Sequence, residues 1–307
     1  MLVPEDLSAQ ARSPNVTPVI GIVGVGRMGL PMCGRLVDAG YEVIAGDARG
    51  ECEELVRGVG GKWVGNPAEV ASDADVLITV LPGAAELLAA IDVAIPAMRS
   101  GTTWIDMTSC SPVIGGKLAA RARERGVECL DVPVGGGAPA ASSGALQLFV
   151  GGPKELLDRH RQMLNVLGPV VHLGDHGAGY VTKLLVNLLW FGQAVATGEA
   201  LLLARRSGID LDAIASAVDG STAANEFLRT NLSKLLEGDY LPSFGLDRCC
   251  EELDAVVSLA KQLAVPFELS TQVFQAYARA LDRYGPVDGE LLAVALLEER
   301  AGTRLRG

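Results

Sequence analysis

The chain has 307 residues, which fits one large or two medium domains with a sizeable apolar core. Its formal net charge of −11 argues against nucleic acid or an anionic membrane as the main partner, although one local positive site is enough to bind a small anion. The six cysteines form no CxxC pair and only three histidines are present, so the composition predicts a reduced, cytoplasmic protein without a metal site.

The N-terminal residues 1–17 are polar and lack the basic start and apolar core of a signal peptide, so we expect a disordered tail. From Pro18 to about His172, short apolar runs alternate with segments of helical spacing. This alternation predicts βα units and a parallel sheet covered by helices on both faces over residues 18–178. The runs that look like buried strands are VIGIVG, YEVIAG, DVLITVL, TTWIDM and ECLDVPV.

A glycine cluster follows the first of these runs and opens a helical segment. Gly24, Gly26 and Gly29 form GxGxxG, in which the glycines allow a tight turn, close approach of a pyrophosphate and close packing of helix on sheet. Asp47 ends the second run eighteen residues after Gly29, where a carboxylate can accept hydrogen bonds from an adenosine ribose. The glycine turn followed by Asp47 favours NAD as the cofactor, although Arg49 could hold the 2′-phosphate of NADP. A glycine turn in an α/β protein without a nucleotide is the alternative.

The pattern of apolar residues changes near Gly179, after which helical spacing continues to the end without a convincing strand. We therefore expect a helical domain over residues 179–307. Its first helix is apolar enough over residues 184–204 to be weighed as a membrane span. Polar residues interrupt the segment and it stands alone, so we expect a buried helix and no membrane contact.

Two polar residues stand out on that helix. Lys183 and Asn187 lie four residues apart and share one face. Among Leu184, Leu185, Leu188 and Trp190, a lysine would lose hydration, which lowers its pKa and suits it to proton transfer. The alternative is a lysine whose stem lies along the core while its ammonium group reaches water.

Several ordered motifs together resemble the β-hydroxyacid dehydrogenases, the family of 3-hydroxyisobutyrate dehydrogenase and relatives of 6-phosphogluconate dehydrogenase. The resemblance runs from about Val19 to Leu297. It implies an N-terminal Rossmann domain, a long interdomain helix and an all-α C-terminal domain that builds dimers or tetramers. The motifs are GIVGVGRMGLPM, DVLITVLP, DMTSCSP, DVPVGGG with GALQLFVGG, GAGYVTKLLVN, FGLDRCCEELDAV and GPVDGELLAV.

The same resemblance implies roles for individual residues. Lys183 is expected to be the general acid and base on the substrate oxygen, and Asn187 to position the substrate and the lysine. Backbone N–H groups of Gly136 and Gly137 are expected to hold a substrate carboxylate. The expected cofactor contacts also include Arg27, Met28, Leu81, Pro82 and Thr108, and the expected substrate contacts include Ser109, Gly135 and Glu251.

Two positions depart from the family pattern. Gly135 stands where a serine commonly touches the substrate, so that hydrogen bond is absent. Glu251 and Glu252 stand where a lysine and an aspartate are usual, and a glutamate in place of the lysine reverses the charge near the substrate. Either Glu251 points elsewhere or the substrate is not a simple carboxylate.

Three functions follow from these residues. The first is an NAD(P)-dependent oxidoreductase that interconverts a small 3-hydroxy acid and its semialdehyde. The second is an imine reductase of the same fold, which Glu251 favours and Lys183 opposes. The third is a nucleotide-binding protein without catalysis.

The remaining candidate side chains have simpler interpretations. His160, His172 and His176 are expected to have surface or capping roles, although the last two could approach the cofactor. Cys249 and Cys250 are expected to be buried, inert thiols. Glu199 is expected to be structural, paired with Arg205 or Arg206.

Overall fold

The computed structural model describes residues 17–306. The predicted tail therefore lies outside the described residues, apart from its last position. The described part of the chain contains nine strands: β1 (Ile20–Val23), β2 (Val43–Gly46), β3 (Lys62–Gly65), β4 (Val76–Thr79), β5 (Thr103–Asp106), β6 (Glu128–Asp131), β7 (Val134–Gly135), β8 (Gln147–Gly151) and β9 (Val170–Gly174).

Helices separate the strands and then take over the chain. Local caps explain several of the starts: α5 begins with Ser111 as cap and Pro112 in its first turn, and α3 begins in the same way with Asn66 and Pro67. The helices are α1 (Gly29–Asp38), α2 (Cys52–Gly58), α3 (Pro67–Asp73), α4 (Ala84–Ala97), α5 (Pro112–Arg123), α6 (Gly137–Ser143), α7 (Lys154–Leu167), α8 (Ala178–Arg206), α9 (Leu211–Asp219), α10 (Glu226–Glu237), α11 (Leu246–Gln262), α12 (Glu268–Tyr284) and α13 (Leu292–Ala301).

The strands form one sheet in the order β3-β2-β1-β4-β5-β6-β8-β7, with β9 paired to β8. All neighbouring strands are parallel except that β8 runs antiparallel to β6 and β7. Strands β1, β2, β4 and β5 are buried throughout, because apolar side chains on both of their faces meet helices. Strand order reverses between β1 and β4, which is where open α/β sheets bind ligands.

Two apolar clusters cover the two faces of this sheet. One contains Met32 and Leu36 of α1 with Leu164 of α7. The other contains Leu87 of α4 and Leu118 of α5. The predicted fold class, a Rossmann domain followed by helices, is confirmed, and each of the five apolar runs contains a strand.

Helix α8 connects the sheet to the helical region. Asp131, at the end of β6, accepts hydrogen bonds from the N–H groups of Gly177 (2.8 Å) and Tyr180 (2.9 Å) and so caps the start of the helix. Although α8 is long and apolar enough to cross a membrane, it contacts β8, α11, α12 and α13, and 44% of its most apolar window is buried. The helix is therefore partly buried against the sheet and other helices, and the absence of membrane contact stays a prediction.

The helical region has its own core around Phe191 and Tyr277, whose rings lie 4.9 Å apart. Cys249 and Cys250 are buried in this core, as expected, and all six cysteines are free thiols. One expectation is wrong: Glu199 is exposed and, among residues 17–306, forms no ion pair with Arg205 or Arg206.

Candidate active site

The glycine turn lies at the carboxyl end of β1. Gly24 has a φ of +96°, and a side chain there would lie 2.3 Å from the carbonyl oxygen of Val80. A Cβ on Gly29 would lie 1.9 Å from the Gly24 carbonyl oxygen, whereas one on Gly26 would meet only the Arg49 guanidinium, at 3.3 Å. The turn is therefore closed on the protein side and open toward solvent, and no side chain caps α1. These features fit a dinucleotide pyrophosphate.

Asp47 stands beside this turn as predicted. Its carboxylate accepts hydrogen bonds from the Val25 N–H (2.9 Å) and from the backbone and guanidinium of Arg49 (3.0 to 3.1 Å). Burial alone would raise the pKa of Asp47, but the hydrogen bonds from Arg49 and Val25 outweigh it and hold the pKa below its ordinary value. The carboxylate is thus ionised and already has a cationic partner.

The other residues expected at the cofactor divide into two groups. Arg27 turns toward the helical region, where its guanidinium donates to the Ser243 carbonyl and lies 3.4 Å from Asp288. Thr108 is only 1% exposed, and its hydroxyl accepts a hydrogen bond from the Leu81 N–H (3.1 Å). Both side chains therefore bind protein groups. Met28 precedes α1 in the open turn, and Leu81 and Pro82 follow β4.

A cavity of about 470 Å³ opens between the carboxyl edge of the sheet and the helical region. It is bounded by the starts of α4 and α5 on one side and by α8 and α11 on the other. The residues that matter for its chemistry are Pro82, Ser109, Leu184, Arg248, Glu251 and Glu252. The parallel strands end at one edge of the sheet, and this edge brings together residues that are far apart in the sequence.

Lys183 lies on the turn of α8 that reaches this cavity, next to Leu184. It is half-buried, and within residues 17–306 it forms no hydrogen bond or ion pair. Its predicted apolar surroundings are only partly present: Leu184 and Leu188 are buried, but Leu185 is 42% exposed. Burial raises the pKa of Glu252 and of Glu290, and the positive charge of Lys183 offsets part of that rise, so two carboxyl groups lie near the lysine. Its ammonium group is free to bind a substrate.

Asn187 lies one turn further along α8 and donates a hydrogen bond from Nδ2 to Oε2 of Glu252. Glu252 is 8% exposed, and burial raises its pKa, while the charge of Lys183, the hydrogen bond from Asn187 and the nearby Ser109 hydroxyl partly offset this effect. The sequence placed Glu252 only as a departure from the family pattern. In the structure it fixes the orientation of Asn187 next to the free lysine.

Glu251 lines the cavity and pairs with Arg248 at 3.1 Å. Arg248 also reaches across to Glu86 of α4 at 2.7 Å. The reversal of charge expected at Glu251 is therefore met by a guanidinium one turn earlier. Sequence reasoning missed Arg248 and Glu86, although the spacing of Arg248 three residues before Glu251 on a helix could have indicated the first pair.

The glycine loop is less closely tied to these groups. Gly136 and Gly137 have φ values of +106° and +66°, are exposed, and open α6 without a side-chain cap. Gly135 belongs to β7 and packs against Phe149. The three residues do not line the cavity, so their predicted contact with a carboxylate stays a prediction.

The histidines bind protein groups. His172 contacts the Gly152 carbonyl oxygen at 2.8 Å, and His176 lies 3.8 Å from the Asp131 carboxylate. His160 contacts the Thr103 hydroxyl at 2.9 Å, and burial lowers its pKa to about 4. Between residues 17 and 306, no cluster of three potential metal ligands occurs.

Comparison with known proteins identifies the family. Residues 19–174 match the NAD-binding domain of 6-phosphogluconate dehydrogenase, and residues 177–297 match the NAD-binding region of NADP-dependent 3-hydroxyisobutyrate dehydrogenase. L-threonate dehydrogenase of Cupriavidus necator is 32% identical over 266 residues, covering 85% of this chain and 90% of that protein.

Solved structures agree with these matches. Mycobacterium tuberculosis 3-hydroxyisobutyrate dehydrogenase with L-serine superposes with a TM-score of 0.83 at 25% identity, covering 92% of this chain and 99% of that one. An imine reductase of Streptomyces aurantiacus has a TM-score of 0.60 at 22% identity, covering 91% and 99%, and so shares the fold. The chain belongs to the β-hydroxyacid dehydrogenase family and is an NAD(P)-dependent oxidoreductase.

Proposed function

We propose that this chain interconverts a small 3-hydroxy acid and its semialdehyde, with Lys183 as general acid and base. The observation that carries this proposal is the free ammonium group of Lys183, one helical turn from an asparagine that a buried glutamate holds in place. Leu184, next to Lys183, and Glu252, the partner of Asn187, line the cavity at the carboxyl edge of the sheet, which is where open α/β sheets bind ligands.

The chemistry divides between the cofactor and the protein. A dinucleotide held at the turn of Gly24 and Gly26 beside Asp47 would supply the hydride acceptor for oxidation and the hydride donor for reduction. In reduction the Lys183 ammonium gives a proton to the carbonyl oxygen and becomes a neutral amine; in oxidation that neutral amine takes the hydroxyl proton, so the C–O single bond becomes a carbonyl. Asn187 keeps the substrate oxygen in line with Lys183, because Glu252 restricts its side chain.

The cofactor in this proposal is NAD. The ionised Asp47 lies beside the glycine turn and repels the 2′-phosphate of NADP. Arg49 reduces this repulsion, since it binds the same carboxylate, and some turnover with NADP is expected.

Self-association and a cytoplasmic location also stay predictions. Leu185, Val186 and Leu189 are 40% to 64% exposed along one side of α8, which supports contact with a second copy. Light scattering of the purified protein measures its molar mass in solution and so tests whether it self-associates.

The test follows NADH absorbance with 3-hydroxy acids and their semialdehydes. Replacement of Lys183→Ala is expected to lower kcat by about 10²- to 10⁴-fold, because the proton acceptor is lost, while NADH binding persists. Lys117→Ala, on the exposed face of α5, is the matched control and should retain activity. Full activity of the Lys183→Ala protein would overturn the assignment.

A second candidate is the reduction of imines, favoured by the carboxylates of Glu251 and Glu252 at the cavity, which would stabilise a cationic iminium. Cyclic imines belong in the same assay. Turnover of imines and of no 3-hydroxy acid would select this second function.

A further inference from the structure

One oxygen of Glu252 has no partner. Oε2 accepts the hydrogen bond from Asn187, but Oε1 is fully buried and has no hydrogen-bond partner among the described residues. The Ser109 hydroxyl is close enough to lower the pKa of Glu252, yet it does not bond Oε1 at normal length and angle. A buried carboxylate oxygen without a donor destabilises a protein, so natural structures pair such atoms with a protein group, a water molecule or a ligand.

The neighbouring side chains do not supply the missing donor. Lys183 acts on Glu252 through its charge but forms no ion pair with it. Arg248 is the one cationic side chain that lines the cavity within residues 17–306, and Glu86 and Glu251 occupy its guanidinium. The remaining charged groups that act on Glu252 and Lys183 are the carboxylates of Glu251 and Glu290. This end of the cavity therefore has more acceptors than donors.

We propose that Oε1 of Glu252 accepts a hydrogen bond from a hydroxyl or ammonium group at C2 of the substrate, the carbon next to the reacting one. Glu252 lines the cavity and bonds Asn187, one helical turn from Lys183, so a donor that reaches Oε1 while Lys183 holds the C3 oxygen lies on a carbon close to the reacting one. C2 is the neighbouring carbon that carries the variable substituent of a 3-hydroxy acid. This inference rests on the proposed 3-hydroxy acid reaction. It makes the preferred substrate a 2,3-dihydroxy or 2-amino-3-hydroxy acid and not a 2-methyl one.

The test is a series of 3-hydroxy acids that differ only at C2: hydrogen (3-hydroxypropionate), methyl (3-hydroxyisobutyrate), hydroxyl (glycerate) and ammonium (serine), with both enantiomers where they exist. The native enzyme is expected to have a kcat/KM about ten- to a hundredfold higher for the better of the two donor substrates than for the methyl one. That range is the contribution of one hydrogen bond to a charged acceptor.

The Glu252→Gln variant sharpens this test. Asn187 donates to position 252, so the new amide is expected to turn its carbonyl oxygen to Asn187 and its NH₂ group to the substrate. The ratio of kcat/KM for the C2-donor substrate to kcat/KM for the methyl substrate should then fall to one or below. Glu226→Gln is the matched control, because it removes the same charge from a glutamate that pairs with an arginine three residues away, outside the cavity; the ratio between substrates should stay high.

The outcomes separate this inference from the proposed function. Equal kcat/KM values across the series in the native enzyme, or an unchanged ratio in Glu252→Gln, would overturn the inference and leave the 3-hydroxy acid reaction standing. Binding of NADH without turnover of any member would overturn both. If Glu252→Gln does not fold by circular dichroism, Glu252→Asp replaces it; withdrawal of the carboxylate by one methylene should lower the ratio while the charge remains.

Discussion

At the scale of a single residue, the proposed choice of cofactor depends on Asp47 together with Arg49. The two side chains form a bidentate pair beside the glycine turn, at 3.0 and 3.1 Å, and the Arg49 guanidinium lies over Gly26. A ribose hydroxyl group must share the carboxylate with this guanidinium. A 2′-phosphate would instead find the guanidinium held by a negative neighbour.

We expect Asp47→Ala to shift the cofactor preference toward NADP. The substitution removes the repulsive carboxylate and frees Arg49 to bind the 2′-phosphate, so the ratio of kcat/KM for NADP to that for NAD should rise by about tenfold or more. Steady-state kinetics with both cofactors measures the ratio. Asp38→Ala, at the exposed end of α1, serves as control, and an unchanged ratio in Asp47→Ala would contradict the role of this residue.

At the scale of elements, a buried polar network joins β4, β5 and α8. Asp106, at the end of β5, accepts hydrogen bonds from the Thr79 hydroxyl (2.7 Å), the Thr108 N–H (3.0 Å) and the Tyr180 hydroxyl (2.6 Å). Trp104 donates to the Thr79 hydroxyl at 2.9 Å. Tyr180 precedes Lys183 by three residues, so the network fixes the turn of α8 that carries the proposed acid and base.

Removal of the Tyr180 hydroxyl is expected to destabilise the fold. Tyr180→Phe leaves a buried carboxylate oxygen without its donor, which should lower the free energy of unfolding by about 1 to 3 kcal/mol at pH 8. Urea denaturation measures the loss. Tyr41→Phe, whose hydroxyl bonds no described group, is the matched control and should change stability little.

The loss of stability in Tyr180→Phe should depend on pH in a defined direction. Burial raises the pKa of Asp106 to about 6, above its unfolded value of about 3.9. The folded state therefore holds this proton more tightly, and the contribution of Asp106 to stability falls as pH rises from about 4 to 6. Because the protonated carboxyl depends less on a donor, the penalty of Tyr180→Phe should be smaller at pH 5 than at pH 8. A larger penalty at pH 5 would contradict this account.

At the scale of the whole molecule, charged contacts join the sheet to the helical region around the cavity. Arg248 of α11 binds Glu86 of α4, and Arg27 of the glycine turn binds the Ser243 carbonyl and lies near Asp288. These contacts connect the sheet to the helical region through residues that are far apart in the sequence, and of these residues Arg248 lines the cavity.

We expect Arg248→Gln to raise KM for 3-hydroxy acids by about tenfold. The cavity then keeps its carboxylates but loses its cation, and an anionic substrate is repelled. Initial-rate kinetics at constant ionic strength gives KM, and Arg121→Gln, which breaks the exposed pair with Asp92, is the control. An effect on kcat alone would show that Arg248 does not act on substrate binding.

The sequence predicts the sheet and the glycine turn because local patterns encode them. Strands β3, β8 and β9 are not among the five runs predicted as strands. Strands β3 and β9 lie at sheet edges where side chains are partly or fully exposed and the apolar pattern is weak, whereas β8 is mostly buried but contains an apolar run of only three residues. The pair Arg248 with Glu86 could not be predicted, because 162 residues separate its members and only the tertiary fold brings them together. The orientation of Glu252 toward Asn187 likewise depends on how α11 packs against α8.

The start of the 29-residue helix α8 also separates two sets of residues that can change independently in evolution. Its start follows directly after the last strand, so the residues that we propose choose the cofactor precede Gly174, and those that we propose move the proton and read C2 follow Ala178. Mutations that alter the preference for NAD or NADP can thus accumulate on one side of this junction without touching Lys183, Asn187 or Glu252. Related chains joined at residues 174–178 should inherit cofactor preference from one parent and substrate preference from the other.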